Sequence, residues 1–233
     1  MKILLTILSA LLFVNTSIAQ TEKGKKFIGG YISVTGYKNT KDDLYSTSSN
    51  KNHSFQLSPR FGAFIKDKLA LGGYVTFISQ NETQSGKQLW SQIGIPNLEY
   101  STTYTTLGYG AGAFIRKYIV LTEKLFFTGT GEIGYMHQDQ KKKFETNDPN
   151  HLNSINNPDE QLMKFNLVGS SIAPGFTYFV TPKLGVDASI GRLVYSFSTS
   201  KNVSLPSEIN TKANNFNIDL NINSFSLGLN YYF

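Results

Sequence analysis

The chain has no cysteine, a single tryptophan and few charges, 16% of its 233 residues. The lack of cysteine excludes disulfides, thiolate catalysis and cysteine-ligated zinc. It suits an oxidising compartment without requiring one. Beyond Gln20 no apolar run approaches the ~18 residues of a membrane-spanning helix. If this chain crosses a membrane, it crosses with strands. His53, His137 and His151 match no metal-ligand spacing, and His53–Ser54 is a poor dyad because neighbours on a strand face opposite ways. Gly108, Gly110 and Gly112 alternate within a strand pattern and do not cradle a phosphate ahead of a helix. Neither a metal nor a cofactor is therefore expected, and the chain reads as a non-enzyme. The formal net charge is +6, but the lysines scatter through turns and loops. No basic stripe interleaved with aromatics is present, so nucleic acid is not an expected partner.

What is abundant is Phe (17), Tyr (13) and Gly (20). Such a composition suits sheets better than helical bundles. Residues 1–19 read as a secretory signal peptide. Lys2 is its basic start, Ile3–Val14 its apolar core, and Ser17-Ile18-Ala19 its small-x-small end. Cleavage is expected between Ala19 and Gln20, leaving one domain over 20–233. Without a cysteine at that point, the lipoprotein route is closed.

The last residues show strict period-two alternation. Phe225, Leu227, Leu229, Tyr231 and Phe233 share one face, opposite Ser224, Ser226, Gly228 and Asn230. An apolar final strand on a soluble protein would be an aggregation edge. It makes sense where that face meets lipid and the strand closes a barrel. Three turns recur: Lys66-Asp67-Lys68-Leu69, Thr122-Glu123-Lys124-Leu125 and Thr181-Pro182-Lys183-Leu184. Long polar stretches at about 38–53, 81–103, 138–162 and 200–214 alternate with them. Short turns at one end and long loops at the other characterise outer-membrane barrels.

Eight strands follow, at about 26–37, 54–65, 69–80, 104–118, 125–137, 163–180, 184–199 and 215–233. The fold class is all-β, a transmembrane antiparallel up-and-down barrel. The apolar stretch around Trp90, Ile93 and Ile95 could dock a partner, fold onto the barrel rim, or form an extra hairpin, which would make ten strands. The alternation slips phase in the sixth, seventh and eighth strands; β-bulges near the rim are the preferred cause, and upper segments projecting above the bilayer as a hairpin extension the alternative. Inward positions read mostly as Gly, Ser, Thr and Ala, filling a narrow lumen. Arg60, Arg116, Glu132, Asp187 and Arg192 point inward and are expected to pair as a charge network. Arg192 needs the slip to escape lipid. Lys141-Lys142-Lys143 reads as a solvated run or a contact to lipopolysaccharide phosphates.

Taken together, Ala19-Gln20, the Lys-Leu turns and the terminal Tyr231-Tyr232-Phe233 resemble the small outer-membrane β-barrel domain family of Gram-negative bacteria. That family is often labelled porin family, with OmpX/OmpA-like barrel architecture. The resemblance covers essentially all of 20–233. It implies an outer-membrane location, a lipid and lipopolysaccharide environment, and recognition of Phe225–Phe233 by the barrel-assembly machinery. It carries no catalytic motif. The expected role is structural or at the cell surface, through the long loops, as a monomer with an unknown surface partner. A lipid-modifying enzyme and a narrow channel are the alternatives. A soluble ligand-carrying barrel is disfavoured because inward positions include Ser58, Arg60, Thr130, Glu132 and Asp187.

Overall fold

The computed structural model describes residues 18–88, 98–147, 160–204, 209–219 and 226–233. Residues 1–17 of the leader, the segment holding Trp90, Ile93 and Ile95, and Phe225 lie outside the described residues.

After a 3-10 turn at Ile18–Thr21, every element is a strand: β1 (Lys26–Asp43), β2 (Ser46–Lys66), β3 (Leu69–Gln88), β4 (Leu98–Val120), β5 (Leu125–Thr146), β6 (Glu160–Thr181), β7 (Leu184–Ser189), β8 (Arg192–Asn202), β9 (Ile209–Asp219) and β10 (Ser226–Tyr232). All pairings given by the described residues are antiparallel. At the short-turn end the order runs β1-β2-β3-β4-β5-β6-β7-β10 and returns to β1, a closed ring of eight strands. β8 continues the wall of β7, and β9 pairs with β8. The eight-stranded reading is therefore the observed one.

The Lys-Leu turns are tight. Lys68 takes a positive φ of 61° at one of them. Thr181 Oγ1 accepts from the Lys183 and Leu184 amides at another. Both devices reverse the chain within a few residues.

The strands run much further than hydrophobic alternation indicates. β1 and β2 are joined only through Leu44 and Tyr45, with register kept from Lys26↔Ala63 to Asp43↔Ser46. The expected loop at 38–53 is thus a paired hairpin. The same holds for most of 81–103 and for the start of 138–162, since β3 pairs with β4 up to Gln88↔Leu98 and β4 with β5 up to Tyr100↔Thr146. These upper segments are polar on both faces, so no alternation marks them.

Of the three phase slips, the one in the seventh strand is a break at Ile190–Gly191. Between Gly175↔Ser189 and Ile172↔Leu193, β6 advances three residues while its partner advances four. Gly191 takes φ +75°, a conformation open to glycine at little cost. The sixth strand has no bulge there: β5 and β6 keep register from Leu125↔Tyr178 to Lys143↔Glu160. Its slip is a change of pattern, with Phe165 and Leu167 on the inward face. In the eighth strand, Phe216 and Ile218 are exposed on one parity and Leu227, Leu229 and Tyr231 on the other. The change falls around 220–225, outside the described residues.

One seam differs from the rest. β1 pairs with β10 only over Phe27–Tyr31. Among the described residues, β1 above Tyr31 and β9 are not paired with each other. Among the described residues each keeps only one strand neighbour there.

Candidate functional site

The lumen is layered. At the short-turn end Phe27, Phe64, Phe114, Tyr118, Phe126, Phe179 and Tyr232 form one cluster, each 0–2% exposed. Their rings lie 4.8–6.3 Å apart, in tilted and edge-on pairs. The tyrosine hydroxyls of Tyr118 and Tyr232 bond at 3.2 Å. This plug corrects the expectation of mostly small inward residues. Several inward glycines are seats for rings. A Cβ on Gly62 would lie 2.5 Å from the Phe27 ring, and one on Gly112 2.5 Å from the Tyr74 hydroxyl.

Above the plug lies the charge layer, where Arg60, Arg116, Glu132 and Asp187 come together. Arg116 is buried and uses its whole guanidinium. Nε donates to Thr130 Oγ1 at 2.9 Å, Nη2 to Tyr31 OH at 3.0 Å, and Nη1 to Asp187. Asp187 also accepts from Thr177 at 2.7 Å and from Tyr31 at 3.2 Å. Arg60 donates Nη2 to Glu132 at 3.3 Å and lies 4.3 Å from the centre of the Tyr31 ring, a cation–π distance. Arg192 is set apart. Its side chain is 49% exposed and approaches Glu132 only to 4.0 Å. It follows directly on the Gly191 break, so it turns toward the lumen without being enclosed by it. Tyr31, which alternation leaves unmarked, bridges the two halves of the network. Higher still, Ser58 and Thr76 bond at 3.0 Å.

The outer face shows an exposed apolar row on most strands, including Ile28 and Ile32, Phe55 and Ile65, Leu71 and Phe77, Leu107 and Ile115, Ile133 and Tyr135. From Ile65 to Phe55 is ten residues, about 34 Å of strand, or about 25 Å of height at the usual ~40° tilt. That is the height of the apolar band of a membrane barrel. Leu227, Leu229, Tyr231 and Phe233 lie on this face, and all four are exposed.

At the upper margin of the band His137 bonds Asn166 Oδ1 through Nδ1 at 2.8 Å, and its Nε2 lies 3.4 Å from Asp139. Tyr135 also donates to Asn166, at 2.6 Å. The lysine run divides between faces: Lys141 and Lys143 are exposed and Lys142 is partly covered. Lys143 bonds Glu145 at 2.7 Å, and that contact raises its pKa. Between the tips of β2 to β5 a cleft of about 550 Å3 is lined by polar groups including Thr47, Ser85, Lys87, Glu99 and Glu145. Lys87 and Glu99 pair across it at 2.7 Å. No group of three or more metal-ligating side chains occurs among the described residues.

No family model and no curated protein matches the sequence. Among solved structures the chain is similar to the outer membrane protein OprG of Pseudomonas aeruginosa, at 15% identity and TM-score 0.44, covering 93% of this chain and 99% of that one. It is similar to the N-terminal beta-barrel domain of OprF from the same organism, at 11% identity and TM-score 0.31, covering 91% and 98%. It is also similar to Ail, the attachment invasion locus protein of Yersinia pestis, at 14% identity and TM-score 0.28, covering 91% and 99%. Likenesses this distant say nothing of ligand or activity. The barrel is established by the chain's own ring of eight paired strands.

Proposed function

We propose that the chain is a monomeric outer-membrane barrel that presents a polar sheet at the cell surface and serves in structure or surface interaction. On this reading residues 1–19 direct export, cleavage follows Ala19, and the barrel-assembly machinery takes up the terminal strand. The observation that carries the proposal is the pairing of a lipid-sized apolar band with strands that continue far above it. Nine residues of β1, Thr35–Asp43, lie beyond Val34 and amount to about 30 Å of extended chain. These segments are polar on both faces, which suits water and not lipid.

The lumen supports this reading over the alternatives. A ring cluster with 0–2% exposure leaves no aqueous path at the short-turn end, which disfavours a channel. His137 has an amide oxygen and a carboxylate as its partners, and no serine hydroxyl, which disfavours an acyl-transfer enzyme. Lys141 and Lys143 stand on the outer side just above the band, placed for lipopolysaccharide phosphates.

The absence of cysteine makes the test simple. Single cysteines replace Tyr45 at a hairpin tip and Asp67 at a short turn. In intact cells a membrane-impermeant maleimide should label Tyr45→Cys and spare Asp67→Cys until the outer membrane is opened. Equal labelling of both in intact cells would overturn the proposal.

A further inference from the structure

Two separate observations meet at Gln20. It is the first residue after the expected cleavage site, so removal of residues 1–19 would leave its α-amine free. It is also fixed in place by the chain that follows it. The Lys68 amide donates to the Thr21 carbonyl at 2.7 Å, the Lys23 amide to Asp67 Oδ1 at 2.8 Å and the Gly24 amide to the Phe64 carbonyl at 2.9 Å. All three bonds lie downstream of Gln20, so they do not depend on the leader. Thr21 is 1% exposed and Gln20 5%. The segments tied together here are rich in cations, with Lys23, Lys25, Lys26, Lys66 and Lys68 against Glu22 and Asp67. A free α-amine, with an ordinary pKa of about 8, would add one more positive charge. Nε2 and Oε1 of Gln20 are buried and make no hydrogen bond among the described residues. No such bond therefore holds the carboxamide away from the α-nitrogen of the same residue.

We propose that Gln20 is a modification site, closed to a pyroglutamate lactam in the mature chain. The inference rests on the export reading above, with cleavage between Ala19 and Gln20. The neutral α-nitrogen attacks the side-chain carbonyl carbon Cδ. An N–Cδ bond forms, the Cδ–Nε2 bond breaks, and Nε2 leaves as ammonia with one proton taken from the α-nitrogen. Nothing is oxidised or reduced, and no co-reactant is consumed. Nucleophile and target belong to one residue, so the step is unimolecular, and proton transfer to the departing nitrogen is the help it needs. Glutamine has the right length for a five-membered ring. Asparagine would give a strained four-membered one, and glutamate offers a poorer leaving group. The product is neutral. It removes the extra charge from among the lysines and the two side-chain N–H donors that have no partner. It also closes this end to aminopeptidases, which require a free α-amine.

Mass spectrometry of the N-terminal peptide tests this. The full chain is taken from the membranes of the cells that make it naturally and denatured at once, and its free amines are reductively methylated. Only then is it cut with chymotrypsin after Phe27. Labelling first means that a ring closed later, during digestion, cannot be mistaken for one closed in the cell. The expected product is peptide 20–27, lighter by one ammonia than the glutamine form, with label on its lysines and none on the α-nitrogen. Gln20→Glu should instead carry label on the α-nitrogen. A peptide 20–27 that keeps its ammonia and is labelled on the α-nitrogen would overturn the proposal and leave the export reading standing. An α-nitrogen still blocked in Gln20→Glu would assign the block to another modification and overturn the proposal too. A peptide that begins elsewhere, or a leader still attached, would overturn the cleavage on which the proposal rests.

Discussion

Replacing Asp187 by Asn probes the sealed lumen most sharply. The two side chains have nearly the same shape, so packing is kept and a charge is lost. Asp187 is 3% exposed and its cationic partner Arg116 is 2% exposed. After the change Arg116 keeps its bonds to Thr130 and Tyr31 but has no counter-charge. Removing one member of a buried ion pair costs about 3–5 kcal/mol, because the remaining charge stays desolvated. The plug makes the upper end of that range the expectation here, since no solvent reaches Arg116 from below. The assay is urea unfolding of the chain refolded in lipid vesicles, followed by far-ultraviolet circular dichroism. The double variant Arg116→Met, Asp187→Asn removes both charges and should recover more than half of the loss. A cost under about 1 kcal/mol for the single variant would mean that water reaches the pair. The lumen would then not be sealed, and the argument from the ring cluster would fail.

Four further outcomes follow from the same geometry. Phe126→Ala empties a fully buried ring position and should cost about 3–5 kcal/mol in the same urea assay. Gly62→Val should cost about 1–3 kcal/mol or more, because its side chain meets the Phe27 ring, whereas Gly129→Ala, where nothing lies within 4 Å, should change little. Ile133→Arg places a cation in the apolar band and should destabilise the vesicle-inserted barrel by about 2–4 kcal/mol; a neutral effect would argue that this face meets water. In hydrogen-exchange mass spectrometry, peptides from Ile209–Asp219 should exchange faster than those from Tyr104–Phe114, which has a paired strand on both sides.

The membrane band was legible because lipid imposes a period of two. The Leu107, Tyr109, Ala111, Ala113, Ile115 row of β4 stands out against Gly108, Gly110 and Gly112. The plug was not, because there both faces of a strand are apolar. Phe126-Phe127, Tyr178-Phe179-Val180 and Tyr231-Tyr232-Phe233 put one residue against lipid and the next against other rings. The available signal was the change from alternating to continuous apolar character at the strand bottoms. The hairpin extensions were hidden for the opposite reason. In water on both sides, Thr102-Thr103-Tyr104-Thr105-Thr106 has no face to mark, and only its β-prone composition hints at a strand. Arg60, Arg116, Glu132 and Asp187 could be placed inward by parity, and Arg192 only through the slip in the seventh strand. Their pairing could not: parity does not say that Tyr31 lies between Arg116 and Asp187, or that Arg60 keeps two donors unused.

The most direct test of the central claim is gel mobility of the chain extracted from outer membranes, with and without boiling. The account predicts a compact, detergent-resistant band that shifts on boiling and disappears when residues 226–233, which close the ring between β7 and β1, are deleted. A protein found in the soluble periplasmic fraction with no shift would contradict it, and the exposed apolar band would then have to be the face of some other assembly.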